Sequence, residues 1–258
     1  MTKDLFVKDV MTKPVTIAKS AKVTEALDKM LSEGADPLIA TNNTNVAGTA
    51  SRHAIAEKLG SRHDAVIAPA AIHVSSVVDE DFTSVYPDEN INVLVPLLQH
   101  YKLVVVYDGD HRLVGQVGAI DLLRKLKPGG RIADVLERCV TIEADERVVH
   151  LRRRMLDDEI TRFIVTENDR ITGIVTETDV AVAMRKFREA VSGKHQDHQI
   201  RNLLVKDIMK TPVLTVDYSA KIADTIDIMQ KKNISSVPVT DKGKLVGMVT
   251  RQSLVKAL

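Results

Sequence analysis

Thr176 and Asp179 place a hydroxyl and a carboxylate three residues apart, where the apolar run Gly173-Ile174-Val175 gives way to a helical pattern. At that spacing both groups sit at a helix N-terminus, whose free amides favour an anion. A carboxylate can accept from two neighbouring hydroxyls at once, and the threonine hydroxyl can serve an anionic group beside it. The same spacing is also that of a capping box, which satisfies the helix's own amides with no ligand at all. Both readings stand on the sequence.

The stretch Gly173-Ile174-Val175-Thr176-Glu177-Thr178-Asp179 has three counterparts: Gly48-Thr49-Ala50-Ser51-Arg52-His53-Ala54, Gly115-Gln116-Val117-Gly118-Ala119-Ile120-Asp121 and Gly247-Met248-Val249-Thr250-Arg251-Gln252-Ser253. Only the third copy in chain order keeps both hydroxyl and acid. The second keeps Asp121 behind Gly118, the fourth keeps Thr250 ahead of Ser253, and the first has Ser51 ahead of Ala54. Each glycine follows a short docking phrase: Asp9-Val10-Met11, Ser76-Val77-Val78, Asp134-Val135-Leu136 and Asp207-Ile208-Met209. From the phrase to its glycine is 39 residues in three copies and 40 in the fourth. One unit used four times explains such constancy.

The elements that must carry these motifs read strand, helix, strand, strand, helix in every unit, an α+β pattern. The units cover residues 5–60, 72–128, 131–190 and 203–258, with connectors at 61–71 and 191–202. In the first, Val23, Ala26, Leu27, Met30 and Leu31 mark one helical face, with Ser20 as the expected N-cap. In the second, a helix from near Asp88 carries Ile91, Leu94, Val95 and Leu98, and Pro96 is expected to make it irregular. In the third, Asp145 is the expected cap of a helix bearing Val148, Leu151, Met155 and Leu156, and Arg152-Arg153-Arg154 reads as its solvated face. In the fourth, Ile222, Ile226 and Met229 mark the helix. The Asn-rich string 41–45 and Asp108-Gly109-Asp110 read as hairpin turns. Units of this size lie near the minimum that folds alone, and each leaves a sheet face exposed. Pairing of one with two and three with four through their sheets is therefore predicted.

Composition narrows the function classes. The 258 residues are 44% hydrophobic, enough for ordinary cores, and 36 basic against 35 acidic side chains give a net charge of +1, with no general pull toward nucleic acid or an anionic membrane. Cys139 stands alone, which fits a reducing compartment. The charged stretch 1–13 shows no secretory signal and no apolar run reaches the roughly 18 residues a membrane helix needs, so a cytoplasmic protein is expected. No phosphate-binding loop and no dinucleotide fingerprint is present, and His195-x-x-His198 lacks further zinc ligands. With the chain taken up by four repeats, the reading is non-catalytic, with no metal.

Val205-Lys206-Asp207-Ile208-Met209, an amphipathic helix, Ser236-Val237-Pro238-Val239 and Leu245-Val246-Gly247-Met248-Val249-Thr250 together resemble the CBS domain, named for cystathionine β-synthase. The resemblance spans nearly the whole chain in four copies. It implies four β-α-β-β-α repeats paired into two Bateman modules, a disc-like pseudo-symmetric body with clefts between the paired sheets. It further implies an adenosine-containing regulatory ligand (AMP, ADP, ATP or S-adenosylmethionine) and no required cofactor. By that resemblance Asp179 takes the ribose hydroxyls, Thr176 the phosphate, and Thr141 with Phe163-Ile164-Val165 the adenine. Asp121 is implied as a ribose ligand without a hydroxyl partner, Thr250 as a phosphate ligand with Arg251 beside it, and the first-repeat motif as empty or phosphate-only. One or two filled sites of four are expected. The implied role is a sensor that signals to an unidentified protein partner by population shift. Two alternatives stay open: a nucleic-acid-associated protein using Arg152-Arg153-Arg154 or the basic segment 185–201, and a ligand-free scaffold. An aromatic content of 3% argues against the former. Homodimerisation is also open.

Overall fold

A computed structural model describes residues 5–60, 68–168, 170–190 and 202–258. The expected histidine pair, the Ser192-Gly193 helix stop and most of the two connectors lie outside the described residues. Four small sheets carry the four repeats. The first holds β1 (Thr16–Ala18), α1 (Val23–Glu33), β2 (Leu38–Asn42), β3 (Asn45–Ala50) and α2 (Arg52–Gly60), with β4 (Val78–Asp79) added to its sheet from the next repeat. The second holds β5 (Thr83–Val85), α3 (Leu94–His100), β6 (Leu103–Tyr107), β7 (Leu113–Gly118) and α4 (Ala119–Leu126). The third holds β8 (Thr141–Glu143), α5 (Val148–Asp157), β9 (Arg162–Glu167), β10 (Arg170–Thr176) and α6 (Glu177–Ala190). The fourth holds β11 (Val216–Asp217), α7 (Ile222–Lys232), β12 (Ser236–Asp241), β13 (Lys244–Thr250) and α8 (Arg251–Val255). In each sheet the first strand pairs parallel with the second, across a helical crossover, and the second pairs antiparallel with the third.

Local chemistry corrects two expected caps and one expected helix start. Ser20 does not cap α1: the helix begins two residues after Ala21, and Glu25 reaches back to the Lys22 amide at 3.1 Å. Asp145 does not cap α5: the cap position is Arg147, two residues on, and the Asp145 carboxylate pairs with Lys206 Nζ at 2.5 Å. Asp88 does not start α3: the chain first makes a 3-10 turn, Ile91–Val93, capped by Asn90. Pro96 then falls in the first turn of α3, where a missing N–H costs little, and the helical run changes from 3-10 to α just before it. Asn43 takes the positive φ expected of it (54°), whereas in the Asp108-Gly109-Asp110 turn it is His111 (φ 60°) and not the glycine that does so.

The two landmarks of the sequence meet in space, and they do so between repeats. A side chain at Gly115 would meet Met11 and the Thr12 carbonyl, one at Gly173 would meet Met209, one at Gly247 would meet Leu136 and the Glu137 carbonyl, and one at Gly48 would meet Val78 and Asp79. Each docking phrase therefore lies on the glycine of its pair partner, one with two and three with four. A hydrogen-bonded bridge follows each contact: Thr12 with Gln116, Glu137 with Met248, Lys210 with Ile174, and β4 along β3. Between repeats one and two the sheet faces close over Ile39, Leu103, Val105 and Tyr107. The predicted sheet-to-sheet pairing is thus built by reciprocal exchange.

Helices join the two pairs. One core packs α2 against α6, so repeats one and three share Ile55, Leu59, Val180 and Met184. A second packs α4 against α8, so repeats two and four share Leu122, Leu123, Leu254 and Val255. Arg185 locks the first junction by bonding the Asp28 carboxylate at 2.5 Å and Glu189 at 2.9 Å. The three arginines of α5 do not form one solvated face. Arg152 turns into the junction beside Glu57 and His53, Arg153 pairs with Asp157 at 3.2 Å, and Arg154 lies 4.7 Å over the Phe163 ring while donating to the Thr141 carbonyl.

Candidate functional site

The register across the third sheet brings the expected residues onto one face. Thr141 pairs with Ile164, Ile164 with Ile174, and Ile174 bridges to Lys210. Phe163, Val165 and Val175 alternate to the other face and enter the helix-packed core. Ile164, fully buried, and the exposed Thr141 therefore look toward the fourth repeat, with Thr176 two residues along β10 on the same side. The row from Thr141 to Lys210 crosses three strand spacings, about 14 Å.

At the end of β10 the capping box forms. Asp179 Oδ2 accepts from the Thr176 amide at 2.8 Å and from its hydroxyl at 2.6 Å, while the Asp179 amide donates to the Thr176 hydroxyl at 3.4 Å. Asp179 Oδ1 lies 3.4 Å from Lys210 Nζ, whose side chain is 69% exposed against 6% for the aspartate. The carboxylate is fixed by one oxygen, and its other oxygen faces a cation from the fourth repeat. Sequence reasoning missed Lys210, because only the bridge to Ile174 reveals its place.

The other three motifs cap their helices by different chemistry. Asp121 Oδ2 accepts from the Gly118 amide at 2.9 Å, and burial raises its pKa. In the fourth repeat Ser253 Oγ does the same for the Thr250 amide at 3.0 Å, so the cap there uses no acid. Thr250 donates its hydroxyl to Glu137 Oε2 at 3.1 Å. The Arg251 guanidinium donates to the Ile234 carbonyl and to Asn233 Oδ1, just past the C-terminus of α7, and lies close enough to the Asp121 carboxylate to feel its charge. In the first repeat the Ala54 amide donates to Ser51 Oγ, and Asp36 takes the Arg52 amide at 2.9 Å.

The helix starts of the first and third repeats meet in a charged cluster. Glu177, buried at the head of α6, bonds His53 Nδ1 at 3.1 Å and stands 3.5 Å from Lys102 Nζ. The hydrogen bond to Glu177 raises the His53 pKa. Burial alone would push the Glu177 carboxyl up, but His53 and Lys102 outweigh it and hold the pKa below the ordinary value. A surface depression of about 410 Å³, lined by Lys19, Ser20, Thr41, Asn42, Asn43 and Ser75, lies at the edge of the first sheet and includes none of the expected site residues. Among the described residues no group of three or more metal-ligating side chains gathers, and no helix is long and apolar enough to cross a membrane.

Four repeats of this topology, exchanging phrases in pairs and sharing helix junctions, define a tandem of paired α+β modules. The CBS domain family matches residues 7–61, 74–128, 132–186 and 205–258, and the chain belongs to that family. Protein MJ1404 of Methanocaldococcus jannaschii is 25% identical over 97% of this chain, which spans 61% of that protein's length. MK0525 of Methanopyrus kandleri is 30% identical over 45% of this chain and 56% of its own length. The match to inosine-5'-monophosphate dehydrogenase of Thermoplasma acidophilum, at 24% identity, takes in 64% of this chain and 33% of that enzyme. Among solved structures, MJ1225 of M. jannaschii, described as a proposed archaeal homologue of γ-AMPK, superposes with a TM-score of 0.80 at 20% identity, covering 98% of this chain and 99% of that one. A conserved protein of Pyrococcus horikoshii superposes at 0.63 with 22% identity and similar coverage.

Proposed function

We propose that the protein is a non-catalytic sensor that binds an adenosine-containing ligand in the cleft of the third repeat and signals to a protein partner. The observation that carries this reading is the divided carboxylate of Asp179. A cap needs one acceptor, and Ser253 supplies it in the fourth repeat with a hydroxyl. Asp179 keeps a second oxygen free of the cap and turned to the cleft face that holds Thr141, Ile164 and Thr176. That oxygen suits paired ribose hydroxyls, and Lys210, joined by the Thr176 hydroxyl when it turns from Asp179, suits a phosphate. Asp121 supports a second, weaker ribose site, and the Glu137 carboxylate lying on Thr250 argues against phosphate in the fourth cleft.

Ligand between the sheets of repeats three and four favours the arrangement of the pair that closes on it, and the shared helix junctions carry that preference to repeats one and two. A partner that reads one arrangement is thereby regulated. The inward turn of Arg152 breaks up one of the two basic stretches on which nucleic-acid binding would rest, while most of the other, 185–201, lies outside the described residues. Thermal unfolding in AMP, ADP, ATP and S-adenosylmethionine tests the sensor. A ligand at one hundred times its Kd adds about 2.7 kcal/mol of stability, a rise in Tm of about 5–10 °C for a chain of this size. Unchanged Tm with all four ligands at millimolar concentration sinks the proposal and leaves the scaffold.

A further inference from the structure

The residue that follows each docking phrase occupies one equivalent position in four clefts. It bridges to the residue two places before the partner repeat's hydroxyl position: Thr12 to Gln116, Asp79 to Thr49, Glu137 to Met248 and Lys210 to Ile174. Its charge differs from cleft to cleft. Lys210 puts an ammonium 3.4 Å from Asp179 Oδ1, beside the Thr176 hydroxyl. Glu137 instead accepts the Thr250 hydroxyl at 3.1 Å and holds Lys256 at 3.2 Å, so a carboxylate already sits where an anion would have to go.

We propose that Lys210 is the specificity-determining residue of the third-repeat cleft, selecting an adenosine ligand with an anionic phosphate tail over an uncharged nucleoside. The inference rests on the adenosine-sensor reading of that cleft. The ribose end is held by Asp179, whose cap-fixed carboxylate is indifferent to what the 5' position carries. The tail passes the mouth of the cleft, where Lys210 is exposed and its flexible stem lets the ammonium leave Asp179 for a phosphate. A charge-assisted contact of this kind is worth more than a neutral hydrogen bond, and it exists only for the charged tail. In the fourth cleft Glu137 imposes the opposite selection, since a phosphate beside its carboxylate would face a like charge.

Calorimetric titration of the full chain with AMP and with adenosine at low salt tests the assignment on wild type, Lys210→Gln, Lys210→Glu and Lys210→Arg. Lys210→Gln lowers AMP affinity about tenfold and Lys210→Glu about thirty-fold or more, from losing and then reversing a charge at close range. Adenosine affinity does not fall in Lys210→Gln, where loss of the ammonium frees Asp179 Oδ1 for the ribose, and Lys210→Arg keeps AMP binding near wild type. If AMP and adenosine weaken together, or AMP binding ignores the charge at this position while wild type binds both, Lys210 is not the selector although the sensor stands. If wild type binds neither compound, the sensor reading itself falls, and this inference with it.

Discussion

Substituting Gly173 by alanine tests the phrase exchange that pairs the repeats. The added Cβ would lie 2.9 Å from Met209 Cγ, closer than real contacts come, and 3.2 Å from Met209 Cβ, tighter than most, with the Met209 sulfur nearer still. Overpacking of this kind costs about 2 kcal/mol, a fall in Tm of about 4–8 °C. Met209 is half-buried, so Met209→Ala removes only part of a buried side chain and costs about 1 kcal/mol. In the double variant the sulfur and Cγ that caused the clash are gone, and the new methyl fills some of the space they left. The double variant is therefore more stable than the sum of the singles implies, by about 1–2 kcal/mol. Urea unfolding of the wild type, both singles and the double measures this coupling. Gly109→Ala, with nothing within 4 Å of the added carbon, is the control and changes stability by no more than about 0.5 kcal/mol. Additive losses, or a Gly173→Ala loss no larger than the control, would refute the proposed docking.

Three further outcomes are expected. His53→Gln removes a bond whose contribution depends on pH: the raised His53 pKa means stability present below 6.5 and lost as pH rises through the folded value, and the lowered Glu177 pKa means stability present above 4.5 and lost as pH falls through its own. Melting curves of wild type and variant therefore differ most between those two values and converge on the alkaline side; a gap that widens with rising pH contradicts the assignment. Arg251→Met strips the donors from the C-terminus of α7 and costs about 1–2 kcal/mol in chemical denaturation, whereas an unchanged midpoint would mean that water replaces them. Arg152→Ala lowers stability while Arg153→Ala does not, and anisotropy titration finds no salt-dependent oligonucleotide binding to remove; steep salt dependence would revive the nucleic-acid reading.

The repeat count, the α+β order and the sheet pairing were legible because each rests on local pattern: a constant phrase-to-glycine offset, helical spacing of Val23 to Met30, and an uncovered sheet face. Which phrase docks on which glycine was not legible, because the offset is the same whether Met209 packs on Gly247 of its own repeat or on Gly173 of the partner. The caps at Ser20 and Asp145 failed for a related reason. Asp145 pairs with Lys206, 61 residues away, and no local rule anticipates that partner. The site divides in the same manner. Thr176 and Asp179 announce themselves by spacing, but spacing alone cannot separate a cap from a ligand site, and the Ser253 cap supplies the comparison only once the fold is seen. Lys210 reads as an ordinary surface lysine until the bridge to Ile174 sets it at the cleft. Arg152 reads as solvated until α2 is packed against α6.

The fourth repeat also supplies the control for the central claim. Since serine caps α8 without an acid, Asp179→Ser keeps the cap of α6 and removes only the carboxylate oxygen that faces the cleft. Calorimetric titration of this variant beside wild type, with the adenosine ligand that raises the wild-type Tm most, separates sensing from scaffolding. The sensor account predicts an unchanged melting temperature without ligand, to within about 2 °C, and binding weakened by about a hundredfold for loss of a carboxylate that holds two hydroxyls. Undiminished binding by a folded Asp179→Ser protein would contradict it.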